Sequence, residues 1–208
     1  MLWSFITCFL FLTAHAESPK SAFLDDIYRV DTQRSSATWK GFKGSESHQG
    51  VLSIKSGEFI FQGDQLIQGQ LVVDMNSIKN TDLKDPKQSK ALEEDLKSAN
   101  FFASETYPES RFVFDEVESL GGGKYSLKGQ VFLRDRVGEE SFDVKLNRVG
   151  KKLVAVANVT LDRSKYDVVY SFLKKSEDSF FKKVFKWVSY KFIKKEFDLT
   201  LNLVADQK

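Results

Sequence analysis

The residues of this chain that could do chemistry are few and scattered. His48 lies in a polar stretch between Gly44 and Gly50, next to serine and glutamate side chains, and could act as an acid or as a ligand. A single histidine without paired spacing to further ligands does not define a metal site, and no Gly-x-Ser-x-Gly motif supplies a nucleophile. The sequence therefore favours a structural or ligand-contacting role for His48 over catalysis.

Two arginines could hold a negatively charged group. Arg134 and Arg163 each follow a stretch with strand character, and a guanidinium group pairs well with phosphate oxygens. Arginines at such positions more often form salt bridges at the surface or at the ends of strands, so both roles stay open. The sequence otherwise offers only scattered carboxylates, which do not form the convergent set of titratable groups that an enzyme needs.

The first sixteen residues have the character of a secretory signal peptide. An almost wholly apolar run over residues 3–13 precedes Ala14-His15-Ala16, a small-x-small cleavage site. The run is too short for a lasting membrane anchor, and an uncleaved anchor is the alternative. We expect cleavage after Ala16 and a periplasmic or secreted protein. Residues 17–26 would then form a loose terminus and residues 27–208 a single domain.

Removal of this peptide changes the chemistry open to the chain. It takes away Cys8, the only cysteine, and leaves 192 of the 208 residues, enough for one domain with a sizeable core. No disulfide can form, so the core alone must stabilise the exported protein. Thiol catalysis, iron–sulfur clusters and Cys/His zinc sites are excluded, and we expect no required cofactor and no metal.

Positive charge is concentrated in residues 182–195. This stretch holds six lysines and no acidic residue, so the rest of the chain has a net charge of −4 although the whole carries +2. A nucleic-acid-binding surface is therefore not expected. As a helix the stretch would lie well on an anionic membrane; a hairpin over one end of the fold and a solvated loop are the alternatives. The candidate membrane contacts are Lys182, Lys183, Lys186, Trp187 and Lys191.

Between residues 27 and 204 the chain reads mostly as strands. Alternation of apolar and polar residues, clearest over residues 65–75 and 196–204, indicates strands with one dry and one wet side. Ser56-Gly57 predicts a tight hairpin, and the two glycines that flank His48 predict a turn around it. Eight to ten short strands separated by such turns are typical of a β-sandwich or a β-barrel.

One helix is predicted over residues 85–99, with Asp85 as its cap and Pro86 in its first turn. Asn100 is expected to take the left-handed conformation that ends a helix. The chain then brings Phe101 and Phe102 to the start of the next strand. This arrangement predicts either a lid docked on the sheet or an ordinary connection packed by two core rings.

These motifs, in this order, resemble those of the YceI-like family from about residue 28 to residue 205. The most specific is Leu96-Lys97-Ser98 followed by Phe101-Phe102 and Tyr107-Pro108. The others are Tyr28 to Asp31, Trp39-Lys40-Gly41, Gly44-Ser45 with His48 and Gly50, and residues 74–78, 80–83, 129–134, 161–166 and 196–199. The chain departs from the family pattern at Asp135 and Asp167, where glycine is usual, at Glu139, where proline is common, and in a longer, more basic segment over residues 181–196.

The resemblance implies a mainly β fold, an antiparallel lipocalin-like β-barrel of about eight strands with one short helix. It also implies a long apolar pocket that binds an isoprenoid or a similar lipid chain, and a homodimer as a common assembly. Such a chain has no hydrogen-bonding groups, so its burial would drive binding at about 25 cal/mol per Å². A barrel of about eight strands either just fills itself or opens enough to hold one ligand.

Aromatic residues are the candidate wall of this pocket. Sixteen of the nineteen phenylalanines lie outside the signal peptide, and two pairs spaced two apart would each share one face of a strand. The wall candidates are Trp39, Phe59, Phe61, Phe101, Phe102, Phe112, Phe114, Phe132 and Tyr166. The headgroup candidates are His48, Arg134 and Arg163. The alternative is that the rings fill a solid core.

The expected function is that of a non-catalytic carrier or store for a polyprenyl or quinone-like lipid. Two other functions stay open: an enzyme acting on a bound quinone, and a secreted interaction protein whose barrel is solid. Titratable groups that converge in the pocket would favour the enzyme, and an interior without an apolar cavity would favour the interaction protein.

Overall fold

A computed structural model describes residues 25–168 and 193–208. The predicted signal peptide and the candidate membrane contacts lie outside these residues. The described strands are β1 Asp25–Val30, β2 Ser36–Lys43, β3 Glu46–Gln62, β4 Gln65–Asn80, β5 Glu109–Gly121, β6 Lys124–Leu133, β7 Arg136–Val149, β8 Lys152–Asp162 and β9 Ile193–Gln207. Helix α1 spans Pro86–Lys97, and a short 3₁₀ helix spans Arg163–Tyr166.

The strands form one antiparallel sheet that closes on itself. Its order is β1-β3-β2-β9-β8-β7-β6-β5-β4, and the pairing of β4 with β3 completes the circle. Both β1 and β2 pair with β3 and β9, at opposite ends of those long strands, so they share one position in the barrel. The described residues therefore form a closed eight-position barrel with one α-helix, and the predicted fold class is confirmed.

Hydrogen bonds within the turn and to Val204 of β9 hold the chain between β1 and β2. The Asp31 carboxylate accepts from the backbone N–H groups of Gln33 and Arg34 at 2.9 and 3.1 Å. The Ser35 hydroxyl accepts from the backbone N–H of Val204 at 3.0 Å, and the Val204 carbonyl accepts from the Asp31 N–H at 2.8 Å. The turn thus takes over the backbone pairing that a continuous strand would provide.

The predicted hairpin at Ser56-Gly57 is wrong, because β3 runs without a turn from Glu46 to Gln62. The pairing with β4 shifts register between Ile54 and Ser56, so this dipeptide marks a bulge. The turn predicted around His48 is also misplaced. It lies at Gly44, which has a φ of +60°, and His48 is a strand residue paired with Gly41.

Helix α1 begins as the sequence predicts. The Asp85 carboxylate accepts from the backbone N–H of Lys87 at 2.9 Å, and Pro86 occupies the first turn. The left-handed residue after the helix is Ala103, with a φ of 47°, and not Asn100. Leu92 and Leu96 face the barrel and pack on its core. Among the described residues, no helix is long and apolar enough to span a membrane.

The close packing around Gly50 predicts that a larger side chain at this position destabilises the fold. A Cβ atom at Gly50 would stand 1.8 Å from the Lys79 carbonyl oxygen and 2.7 Å from Cε2 of Trp39. We expect Gly50→Ala to lower the free energy of unfolding by about 1–3 kcal/mol, because the ring and the neighbouring strand must move. Gly41→Ala on the adjacent strand is the matched control, since nothing lies within 4 Å of its Cβ position. Denaturant midpoints measure both, and equal midpoints would contradict this packing.

Candidate functional site: an apolar cavity at one end of the barrel

A cavity of about 170 Å³ lies at the end of the barrel that carries the β2–β3 turn and helix α1. Its wall is built almost entirely from apolar side chains supplied by six strands, by α1 and by the loop after it. The apolar lining residues are Trp39, Phe42, Leu52, Val73, Met75, Ile78, Leu92, Leu96, Phe101, Phe102, Leu133, Leu161, Ile193, Phe197 and Leu199. Such a surface can hold a hydrophobic ligand by burial and shape.

Three of the predicted wall residues line this cavity. Trp39 lies on β2 directly opposite Gly50, where the absence of a side chain leaves room for the indole ring. The loop after α1 places Phe101 and Phe102 with their ring centroids 5.8 Å apart, and the Phe102 ring meets Phe197 edge-on at 6.2 Å. The backbone holds this loop, because the Phe102 N–H donates to the Leu96 carbonyl at 3.1 Å.

Four other predicted wall residues lie deeper in the barrel and do not line this cavity. Phe59, Phe61 and Phe114 are buried in the core with 4%, 2% and 3% of their surfaces exposed. Phe59 contacts Phe114, and Phe61 meets the ring of Tyr28 edge-on at 5.5 Å. Phe112 stacks on Phe114 at 5.7 Å. These rings fill the interior where the sequence led us to expect a hollow.

Phe132 and Tyr166 also lie away from the cavity. Phe132 alternates with the buried Leu133, so its ring is on the outer face of the sheet, 4.5 Å from the guanidinium carbon of Arg111. Tyr166 is fully buried and donates its hydroxyl to the Glu140 carboxylate at 3.0 Å. Burial, together with that carboxylate, raises the pKa of Tyr166 well above its usual value. Neither ring is placed to touch a ligand in this cavity.

His48 borders the cavity and is oriented by a carboxylate that the sequence did not single out. Its Nδ1 lies 3.0 Å from Oδ2 of Asp82. Burial alone would raise the pKa of Asp82, but hydrogen bonds from His48, Asn80 and the Gln49 N–H outweigh it and lower that pKa. An ionised carboxylate only accepts, so Nδ1 carries the proton, and Nε2 is the acceptor atom of the neutral ring.

Arg163 borders the cavity as well, but much of its guanidinium group is already committed. It donates to the carbonyls of Lys194 at 3.0 Å and Ile193 at 3.2 Å, and also to that of Val168. Its guanidinium carbon lies 5.7 Å from the centre of the Phe101 ring. Arg163 thus connects the start of β9 to the chain after the 3₁₀ helix.

Arg134 does not line the cavity. It has a left-handed backbone with a φ of 57°, and its side chain donates to the carbonyls of Phe101 at 3.1 Å and Asp167 at 2.9 Å. Asp167, where the family pattern usually has glycine, is also left-handed, and its carboxylate pairs with Arg136 at 2.6 Å. Arg134 therefore holds two loops at this end of the barrel.

Sequence reasoning missed the aliphatic part of the wall and the partner of His48. Met75, Ile78, Leu92 and Leu96 carry no chemical signal that separates a cavity wall from a core. Asp82 did stand in one of the quoted motifs, but it lies 34 residues from His48 in the chain. Among the described residues, no group of three or more His, Cys, Asp and Glu side chains is placed to hold a metal ion.

A closed antiparallel barrel with an apolar cavity at one end defines the class of small barrels that can enclose a hydrophobic ligand. The family model of the YceI-like domain matches residues 28–205. The chain therefore belongs to the YceI-like family. The match covers β1 to β9 apart from the ends of the two terminal strands.

Two solved structures share this fold. BcnA of Burkholderia cenocepacia is 18% identical with a TM-score of 0.64, over 84% of this chain and 98% of that one. A polyisoprenoid binding domain from Saccharophagus degradans, implicated in plant cell wall breakdown, is 13% identical with a TM-score of 0.60, over 87% and 98%. At these identities the likeness shows the fold alone. No curated protein sequence matches the chain significantly.

The lowered pKa of Asp82 predicts a specific acid sensitivity. Its usual value is 3.8 and the folded protein holds it lower, so the ionised form stabilises the fold above pH 3.8. This contribution is lost as the pH falls from 3.8 through the lowered pKa. We expect Asp82→Asn to flatten the loss of stability in that window, measured by denaturant midpoints between pH 6 and about pH 2.5.

Asp143→Asn is the matched control, because Asp143 is an exposed residue of β7. It removes one carboxylate without touching His48. If both variants lose stability with pH as steeply as the unchanged protein, the His48–Asp82 contact does not stabilise the fold.

Proposed function

We propose that this protein is a non-catalytic carrier or store that binds an isoprenoid-type lipid, either polyprenyl or quinone-like, in the apolar cavity. The observation that carries the proposal is the cavity itself, with its wall of aliphatic side chains and the rings of Trp39, Phe101 and Phe102. The family membership and the polyisoprenoid binding domain of Saccharophagus degradans support the same ligand class.

The wall chemistry favours a hydrocarbon over a polar metabolite. Each methylene group of a ligand that leaves water for this cavity contributes on the order of 0.8 kcal/mol. A polar ligand would lose hydrogen bonds to water that an apolar wall does not replace. The aromatic rings add flat contact surfaces that suit the planar double bonds of an isoprenoid.

A ligand headgroup would meet the polar side chains at the rim. His48 offers Nε2 as an acceptor for a hydroxyl group, because Asp82 holds the proton on Nδ1. Arg163 adds positive charge on the same rim. We propose His48 as the main headgroup contact and Arg163 as a secondary one. Arg134 is not on the rim, and its contacts support a structural role in its place.

Export and membrane contact are proposed from the sequence. The signal-peptide character of residues 1–16 supports a periplasmic or secreted carrier. The lysine-rich residues 182–195 support docking on an anionic membrane, where the carrier could load or release its lipid. A homodimer is proposed from the resemblance alone, and sedimentation of the purified protein tests it.

Replacement of Lys182, Lys183, Lys186 and Lys191 with glutamine tests the membrane contact. The loss of four positive charges should weaken binding to vesicles containing anionic lipid, since each lysine near such a surface contributes about 1 kcal/mol. Vesicles of neutral lipid are the control. Cosedimentation that is equal for the variant and the unchanged protein would remove this proposal.

Organic extraction of natively purified protein, followed by mass spectrometry, tests the lipid itself. We expect a co-purifying isoprenoid-type compound, and Phe102→Ala should retain about tenfold less of it, because a wall ring contributes roughly 1.5–3 kcal/mol of burial. Phe132→Ala is the matched control, since that ring lies on the outer face and should leave retention unchanged. A ligand-free extract, together with no binding of added prenols, would overturn the proposed function.

A further inference from the structure

Gly41 of β2 stands at a position that neither the backbone nor the packing reserves for glycine. Its φ lies outside the left-handed range, so residues with a side chain can adopt its conformation. No described atom lies within 4 Å of the place where a Cβ atom would stand. Gly41 also lines the cavity. The space that a side chain would occupy is therefore part of the cavity.

The other strand glycines with such an ordinary φ are tightly packed. They are Gly50, Gly57, Gly69, Gly129 and Gly138. A Cβ atom on each of these five would stand less than 3.0 Å from a neighbouring atom. Three of them lie against an aromatic ring of the protein, with ring carbons between 2.6 and 2.9 Å from the Cβ position: Gly50 against Trp39, Gly69 against Phe114 and Gly138 against Tyr166. The barrel thus uses strand glycines to make room for rings, and at Gly41 no described residue supplies one.

Gly41 lies between two side chains that face the same cavity. It pairs directly with His48 of β3 on one side and with Phe197 of β9 on the other. Residues directly opposite each other on antiparallel strands share one face of the sheet, and all three residues line the cavity. Because neighbouring strands are about 4.8 Å apart, β3 and β9 are roughly 9.6 Å apart across Gly41. The result, which we call the Gly41 slot, has the Gly41 backbone as its base and His48 and Phe197 as its two sides.

Both sides of the Gly41 slot are held in place by other residues. Nδ1 of His48 lies 3.0 Å from Oδ2 of Asp82, so Nε2 is the acceptor atom of the neutral imidazole. The Phe197 ring meets the Phe102 ring edge-on, with centroids 6.2 Å apart. One side of the slot therefore offers a hydrogen-bond acceptor, and the other offers an aromatic contact.

We propose that the Gly41 slot binds the headgroup of a lipid whose headgroup is a single flat ring with a hydroxyl group, such as a hydroquinone. The ring lies over Gly41 as the Trp39 ring lies over Gly50, packs against Phe197 and donates its hydroxyl to Nε2 of His48. The isoprenoid tail lies along the aliphatic wall. This inference rests on the proposed function and narrows its ligand to a lipid with a ring. Gly41 is a specificity-determining residue, because any side chain there would occupy the place of the ring.

Calorimetric titration of the exported protein with geraniol and geranylhydroquinone, each as a detergent-free monomer under reducing conditions, tests the slot. The two ligands carry the same geranyl chain and differ in the ring. The unchanged protein should bind geranylhydroquinone at least about tenfold more tightly, because the ring gains burial in the slot. Gly41→Val should bring the two affinities to within about threefold of each other, since the new side chain fills the slot.

Ser36→Val is the matched control, because Ser36 is an exposed residue of the same strand, and it should keep the preference for the ring. Denaturant midpoints check the fold, and Gly41→Val should be no less stable than the unchanged protein, since its side chain enters open space. If Gly41→Val does not fold, Gly41→Ala should show a smaller loss of the same preference. Equal affinities for the two ligands in the unchanged protein, a preference that Gly41→Val leaves intact, or an equal loss for both ligands would overturn the slot and leave the carrier in place. Absence of binding by both ligands would remove the carrier function as well.

Discussion

Closure of the sheet between β3 and β4 is the constraint on which the whole site depends. This pairing places Gly50 opposite Asn80, and the Thr81 N–H donates to the Gln49 carbonyl at 3.0 Å just beyond it. Asp82 therefore lies beside His48, although the two residues are 34 positions apart in the chain. The hydrogen bonds that remove the free edges of the sheet also build the polar rim of the cavity.

Glycines are paired directly opposite aromatic residues at two places in the barrel, Gly50 opposite Trp39 and Gly69 opposite Phe114. An eight-position barrel is only just wide enough for its own side chains, so a hollow requires rings to lie flat against the wall. Gly50 lets the Trp39 ring do this beside the cavity. Gly69 has the same effect on the Phe114 ring, which lies over it deeper in the barrel. There the rings of Phe59 and Phe112 pack against Phe114 and fill the space.

Local sequence patterns predicted the strands and the helix cap well. They did not predict how deep in the barrel each side chain lies. Alternation reports which face of a strand a side chain is on, so it cannot separate Phe114, which is buried in the core, from Trp39, which lines the cavity. The run Val131 to Leu133 is apolar throughout, so alternation alone did not show that Phe132 faces outward. Ser56-Gly57 has the same local chemistry in a hairpin as in a bulge, and only pairing with β4 decides between them. The contact between His48 and Asp82 needed the closed topology.

Arg134 and Arg163 stabilise the loops at the end of the barrel that holds the cavity. Loops that leave a sheet carry carbonyl groups without ladder partners, and burying them unpaired would cost free energy. Arg134 supplies donors to the loop of Phe101, and Arg163 supplies them to the chain around Ile193. These two arginines therefore serve mainly to pair backbone carbonyl groups of the loops. At the other end of the barrel Arg148 acts in the same way, because it donates to the Gly63 carbonyl of the β3–β4 turn at 2.9 Å. Arginines therefore stabilise loop backbone at both ends.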